Sequence, residues 1–356
     1  MTPVLEHAAR RLDGLARYRP GGAATGEAGK LSANELFLGP SARVRAAIAA
    51  SADVAHRYAT SEPLRDALAG AIGVAADRVV LTSGSDELCY LLAAVVIGEG
   101  DAVVLSDPSY RMDEIVTRLA GGQLRTVAVR DGGHDLEAMA AAAAGARLLW
   151  LPTPHNPTGV AVAPDALARL LDDVPESCLV VLDEAYRDFV DPGRRPDSLA
   201  LLERHPNLVV QRTLSKAHGL AGLRVGYGLA HPALVATLDT IRPPFNVNAA
   251  ALAAAAAALE DTAWRDYAVT LTRRERVRLE ALLTELAIPF WPSQANFVTV
   301  RAGEDAPALV AALAAADVSV RDGADLGVPG CVRISIGAPA TMEIVRGVLR
   351  STSEGR

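Results

Sequence analysis

Leu179-Val180-Val181-Leu182-Asp183-Glu184-Ala185-Tyr186 opens with four consecutive apolar residues and closes on two acids, an alanine and an aromatic. An apolar run without polar alternation is the pattern of a strand covered on both faces, as in parallel sheets packed between helices. The pattern recurs on either side. Short runs at Arg78–Thr82, Ala102–Ser106, Leu124–Val129, Arg147–Leu151, Asn207–Arg212 and Leu223–Leu229 alternate with helical stretches at Ser85–Ile97, Tyr110–Ala120, Asp135–Ala143 and Pro164–Asp172. Strand–helix–strand repetition predicts an α/β domain with a mostly parallel sheet. Ligands of such sheets bind beyond the carboxyl ends of the strands, so the residues that follow each run are where chemistry is expected.

Downstream the pattern changes. Pro243-Pro244 breaks the alternation, and an Ala-rich segment leads into a charged amphipathic stretch over Thr262–Leu286. Strands are predicted at Asn296–Arg301, Val318–Arg321 and Cys331–Ile336, with helices at Ala306–Ala315 and Thr341–Arg350. The expected organisation is an N-terminal helix and arm (residues 1–30), a large domain (31–245) and a smaller α+β C-terminal domain (246–356).

Composition narrows the function classes. The chain has 356 residues, 50% hydrophobic and 22% charged, which is too apolar for disorder. Its formal charge is −7 and it has no long basic run, which speaks against a general nucleic-acid binder. The cysteines Cys89, Cys178 and Cys331 are isolated from one another, so neither a disulfide framework nor a zinc site is expected. The longest apolar runs, Leu88–Ile97 and Ala249–Leu259, are far short of a membrane span, and Met1–Arg11 lacks the apolar core of a signal peptide. The expectation is a soluble, cytoplasmic protein without a metal site or a membrane span.

Nucleotide motifs fail on inspection. Gly26-Glu-Ala-Gly29-Lys30 has the wrong spacing for a phosphate loop, and Gly226-Tyr-Gly228 lacks the third glycine of a dinucleotide fingerprint. What remains is a series at strand ends. Thr82-Ser83-Gly84-Ser85-Asp86-Glu87 opens a helix whose first amides suit an anion, although the same residues make an ordinary N-cap. Asp107-Pro-Ser-Tyr110 places an aromatic at the sheet edge, and Pro154-His-Asn156-Pro-Thr-Gly159 presents an amide on a rigid turn. Asp183 and Tyr186 end the quoted strand, Thr213-Leu-Ser215-Lys216 follows another, and Arg224 comes eight residues after the lysine. Singly, each fits a cap, a turn or a solvated surface.

Together and in this order they resemble the class I/II aminotransferases, fold type I enzymes dependent on pyridoxal 5'-phosphate, most closely the histidinol-phosphate and aromatic aminotransferase group. The resemblance extends to Leu31-Ser-Ala-Asn34-Glu35, Arg57-Tyr58, Gln294-Ala-Asn296-Phe297-Val298 and Val332-Arg333-Ile-Ser335. It implies that Lys216 forms the internal Schiff base and moves the proton from the substrate, and that Asp183 holds the pyridine nitrogen protonated. Asn156 and Tyr186 would bond the phenolic oxygen, and Tyr110 would stack on the ring. The amides around Ser85 and Asp86, with Ser215 and Arg224, would hold the phosphate, with Tyr58 arriving from the neighbouring subunit of a homodimer. Arg333 would bind the α-carboxylate of amino-acid donor and 2-oxo-acid acceptor, while Tyr18 and Arg321 would lie on the substrate side.

The substrate is less determined. Tyr18 and Arg321 favour histidinol phosphate. Departures from the family pattern favour a different substrate: Leu36-Phe37 after Asn34-Glu35, His218 after Lys216-Ala217, and Asp113 where relatives carry a second aromatic. If Asp113 faces the pocket it repels a substrate phosphate; otherwise it belongs to its helix. An aromatic or specialised aminotransferase and a decarboxylase of phosphorylated amino acids stay open, and a transcriptional regulator is disfavoured because the enzyme-like region begins almost at Met1.

Overall fold

The computed structural model describes residues 2, 4, 5, 26 and 29–354. Strands β1 (Val79–Thr82), β2 (Ala102–Asp107), β3 (Gln123–Ala128), β4 (Leu148–Pro152), β5 (Leu179–Asp183), β6 (Leu208–Thr213) and β7 (Gly226–Leu229) form a seven-stranded sheet in the order β1-β7-β6-β5-β4-β2-β3. The neighbours from β3 to β6 pair in parallel, whereas β7 runs antiparallel to both β6 and β1. Strand order reverses between β4 and β2, and such a reversal opens a crevice at the strands' carboxyl ends.

Helices α1 (Ala42–Ala50), α2 (Glu62–Ile72), α3 (Ser85–Val96), α4 (Arg111–Leu119), α5 (Leu136–Ala142), α6 (Pro164–Asp173), α7 (Ser198–Arg204), α8 (Pro232–Ile241) and α9 (Ala249–Glu260) cover this sheet. Unbroken apolar strands fit because both faces are dry. In β4, Leu149 and Leu151 pack into one core, Leu148 and Trp150 into the opposite one. Capping side chains start several helices: Ser41 accepts from Val44 N, Asp135 from Ala138 N and Asn248 from Ala251 N.

The long helix α10 (Thr262–Glu285) leads to a second, antiparallel sheet made of β8 (Phe290–Trp291), β9 (Phe297–Arg301), β10 (Arg321–Asp322) and β11 (Cys331–Ser335), in the order β10-β11-β9-β8. Helices α11 (Ala306–Ala315) and α12 (Pro339–Glu354) complete this part. Val298, Val300, Val332 and Ile334 join Leu279, Leu282 and Leu283 of α10 in a separate core. The alternate residues Phe297, Thr299, Arg333 and Ser335 take the other face of the sheet, since successive strand residues point to opposite sides.

The cores divide the chain differently from the expected boundaries. Leu31, assigned to the large domain, packs in the C-terminal core; its N–H donates to Ser319 O at 2.8 Å and its carbonyl accepts from Ser335 N at 3.0 Å. Helix α9, assigned to the small domain, packs Ala251, Leu252, Ala254, Ala255 and Ala258 into the large core. Alanine carries no mark of which neighbour it will meet, so composition alone misplaces that helix. Among the described residues, no helix is long and apolar enough to cross a membrane. Nor is any group of three or more His, Cys, Asp or Glu side chains placed to hold a metal.

Candidate active site

A cleft of about 410 Å³ lies at the carboxyl ends of β2, β4, β5 and β6, closed on one side by the second sheet. Ser85, Asp86, Tyr110, Asn156, Asp183, Tyr186, Ser215, Lys216, Arg224 and Arg333 all line it. Ten residues singled out by strand-end position and motif are therefore gathered in one cavity.

Its first component is an anion cup. Helix α3 begins at the cleft wall after Gly84, and helix starts leave their first N–H groups without intrahelical partners. Arg224 crosses over this helix end, with Nη2 3.1 Å from Asp86 Oδ2 and Nη1 3.4 Å from Ser215 Oγ. Thr213 Oγ1 donates to Ser215 Oγ at 2.9 Å. The cup depends on bare backbone: a Cβ on Gly226 would stand 2.6 Å from Ser85 N, and one on Gly84 2.3 Å from Arg224 Nη2. Arg224 itself has φ 57, in the left-handed region, which explains why β7 starts at Gly226 and not at Leu223.

Next to the cup are an amine and a carboxylate out of their ordinary ranges. Burial, with Arg333 nearby, lowers the Lys216 pKa from 10.5 to about 8. Lys216 Nζ donates to Ala33 O at 3.3 Å. Burial raises Asp183 from 3.8 to about 6, against the hydrogen bond from Ala185 N at 2.9 Å. The pair thus offers a base near neutrality and a buried acid suited to a cationic partner. Tyr110 donates its hydroxyl to Asp86 Oδ1 at 2.9 Å, fixing the ring beside the cup.

Arg333 reaches in from β11. Nη1 donates to Asn156 Oδ1 at 2.7 Å and Nη2 to Ser32 O at 2.9 Å. Because Asn156 accepts through its oxygen, its NH₂ end is the one left to face the cleft. Tyr186 stands edge-on to Phe297 at 5.3 Å, where the two sheets meet.

Two expected residues are not brought to this cleft. Tyr58 is 82% exposed and stacks on Phe245 at 4.5 Å, on a different surface. Arg321 lies directly across the strand pair from Arg333, but its side chain is buried and 3.8 Å from Asp325; Asp325 lines the cleft and Arg321 does not. Tyr18 lies outside the described residues. Two further residues, raised as possible pocket groups, are absent from the lining. Asp113 is 4% exposed and accepts from Ser109 Oγ at 3.0 Å, so its charge gives no argument against a phosphorylated substrate. His218 is also absent from the lining. Asn34, by contrast, was only part of a motif and lines the cleft, as does Asp325-Leu326-Gly327; one signal for Asn34 was available, since it begins the segment where the chain departs from the family pattern.

The matched stretch of the aminotransferase class I and II family is residues 28–350, and the chain belongs to this family of fold type I pyridoxal-phosphate enzymes. Among curated relatives, histidinol-phosphate aminotransferase 2 of Ralstonia nicotianae is 47% identical over 196 residues, 54% of this chain and 52% of that protein. The chain thus aligns with about half the length of that relative. Histidinol-phosphate aminotransferase of Symbiobacterium thermophilum is 42% identical over 313 residues, covering 87% of this chain and 86% of the relative. The crystal structure of histidinol-phosphate aminotransferase from Sinorhizobium meliloti, in complex with pyridoxal-5'-phosphate, superposes with a TM-score of 0.87 at 30% identity, over 99% of this chain and 98% of that one. The residues present fit the family's cofactor: a bare-backbone cup for its phosphate, a buried carboxylate for its ring nitrogen and an amine below its usual range for its aldehyde.

Proposed function

We propose that the protein is an aminotransferase that moves an amino group between histidinol phosphate and a 2-oxo acid, using pyridoxal phosphate. One observation carries the reading. Lys216, Asp183, Asn156 and Arg333 converge on a single cleft beside an anion cup, which is the full set a two-substrate amino transfer needs. Bound pyridoxal phosphate supplies an aldehyde that captures the donor's amine and a protonated ring that draws off the electron pair left on the α-carbon.

The chain supplies the rest. Lys216 Nζ, lowered to about 8 by burial, takes the proton from the substrate α-carbon and returns it to the former aldehyde carbon. Asp183 keeps the ring nitrogen protonated by offering it a negative charge in a dry site. Asn156 Nδ2 and the Tyr186 hydroxyl hold the phenolic oxygen, and the Tyr110 ring covers one face. The main-chain amides of Ser85 and Asp86, the Ser215 hydroxyl and Arg224 anchor the phosphate; the arginine's planar fork suits it. Arg333 takes the α-carboxylate of the 2-oxo acid, a group that histidinol phosphate lacks. Its contact with Asn156 then links substrate binding to the phenolic oxygen.

Tyr58 acts in the reading through a second copy of the chain. Its exposure outside its own cleft supports a homodimer in which each Tyr58 reaches the partner's phosphate. The choice of histidinol phosphate rests on the relatives. The test is a set of half-reactions: purified protein loaded with pyridoxal phosphate is mixed separately with histidinol phosphate, aromatic, acidic and basic amino acids. Bleaching of the visible band by histidinol phosphate, reversed by 2-oxoglutarate, is the expected result. Bleaching only by another amino acid would reassign the donor, and no visible band at all would remove Lys216 from the reading.

A further inference from the structure

A chain of hydrogen bonds reaches Tyr186 from the small-sheet side, and the reading above does not use it. Asn34 Nδ2 donates to Tyr186 Oη at 3.0 Å. Ser335 Oγ donates to Asn34 Oδ1 at 2.9 Å and accepts from the Asn34 main-chain N–H at 2.8 Å. Asn296 Nδ2 donates to the Asn34 carbonyl at 2.9 Å. Asn34 is 2% exposed, and Ser335 and Asn296 are 1% each, so water does not substitute for these partners. Asn34 sits at φ 54, a backbone setting that asparagine, aspartate and glycine tolerate better than other residues.

The network has one consistent direction. An asparagine amide accepts at one end and donates at the other, and a serine hydroxyl has a single proton. Ser335 gives that proton to Asn34 Oδ1, so the donating end of the amide faces Tyr186. Turning the amide over would leave the buried Ser335 O–H without an acceptor in this group, which is costly. Tyr186 Oη is therefore an acceptor toward Asn34, and its own hydrogen is directed away from Asn34. Donation into Oη also polarises the hydroxyl and makes it the stronger donor.

We propose that Asn34, held by Ser335, is a positioning residue for Tyr186: it orients the hydroxyl proton toward the cleft and strengthens its donation to the phenolic oxygen of bound pyridoxal phosphate. The inference rests on the cofactor reading given under Proposed function. It assigns the small sheet a second line of control over that oxygen, besides the one from Arg333 through Asn156. A donor on the phenolic oxygen stabilises its negative charge and loosens its hold on the neighbouring proton on Lys216 Nζ. Losing the donor tightens that hold.

The experiment is a pH titration of the visible band in the pyridoxal-phosphate-loaded protein, with Asn34→Asp as the main variant. The carboxylate keeps size and backbone setting but accepts where the amide donated. The band's midpoint is expected to rise by about one pH unit, less in Ser335→Ala, and to return toward normal in Ser335→Thr. In a Tyr186→Phe background, Asn34→Asp is expected to move it by clearly less, only by the direct effect of the new charge on the nearby Lys216 nitrogen. An unchanged midpoint, or an equal shift in the Tyr186→Phe background, overturns the proposal. Should Asn34→Asp fail to fold, Asn34→Gly removes the donor at a φ that glycine accepts and is read the same way.

A second readout needs no cofactor. In the unloaded protein, the tyrosinate ultraviolet signal of wild type minus Tyr186→Phe isolates Tyr186. Its midpoint is expected to rise by about one unit or more in Asn34→Asp, because an anion replaces a donor; no change overturns the proposal. Wild-type protein that takes up no cofactor would defeat the functional reading while leaving this second measurement decisive.

Discussion

On the seven-stranded sheet the candidate reacting groups sit at or just past strand ends: Tyr110 after β2, Asn156 after β4, Asp183 and Tyr186 at the end of β5, and Lys216 after β6. On the four-stranded sheet Arg333 and Ser335 lie inside β11, two residues apart and thus on one face. A residue in a loop after a parallel strand can change without disturbing its neighbours' register. A residue within a strand cannot, because a slip of one position sends the whole face into the core. The chemistry is thus carried by the adaptable side, and its alignment by the side with fixed register.

The largest expected effect breaks the loop side. Lys216→Ala should cut turnover by about 10⁴-fold, measured in steady state with donor and 2-oxo acid. The same substitution should stabilise the unloaded protein. The lysine titrates near 8 when folded but at 10.5 ordinarily, so the unfolded chain binds its proton more tightly. Stability contributed by this group rises as pH climbs through that window and is lower, on the order of 3 kcal/mol, below it. Melting of the unloaded Lys216→Ala protein at pH 7 should therefore occur at higher temperature than wild type.

Arg333→Lys probes the register side. A point charge cannot reproduce the fork to Asn156 and Ser32, so kcat/KM for the 2-oxo acid should fall by about 10²-fold. A loss confined to the acceptor's KM would instead make Arg333 a binding group alone. Asp183→Asn lies between the two in kind. It should weaken pyridoxal-phosphate binding, read by dialysis and visible absorbance, while stabilising the unloaded protein at pH 7. Its folded value of about 6 exceeds the ordinary 3.8, so stability is lost as pH rises through that interval and the deficit is complete above it. A melting temperature that does not rise in the variant at pH 7 would show that the carboxylate is paired. Smallest of all, Asp113→Asn should change donor preference less than about twofold, since the side chain is off the cleft wall and burial pushes its carboxyl well above the usual carboxylate range, toward the neutral form. A larger change would bring that side chain back to the substrate.

Strand-end chemistry was legible in the sequence because it follows from a local rule. Apolar runs such as Val180–Leu182 mark the strands, and polar residues immediately after them mark the site. What was less legible depends on distant partners. Asn34 meets Tyr186 only because residues 152 positions apart are brought together. The two-residue strand β8 is too short to show a period, and Val318–Val320 were expected in a strand that begins only at Arg321. Arg321 has the right strand, yet its side chain is buried beside Asp325, four residues on, and does not line the cleft. Tyr58 could be read as a motif, but not as a ring resting on Phe245.

The passage of Leu31 into the C-terminal core has a mechanical meaning. Among the described residues the chain crosses between the two cores twice, once between Leu31 and Val44 and again along the helix that spans Thr262–Glu285. Two bodies joined at a single point can swivel in any direction, whereas two joins leave one preferred axis, the line through both. Any opening of the cleft is thereby channelled into a hinge-like swing, and the edge that swings is the one bearing Arg333. The amino-terminal segment is in this sense a second pin in the hinge.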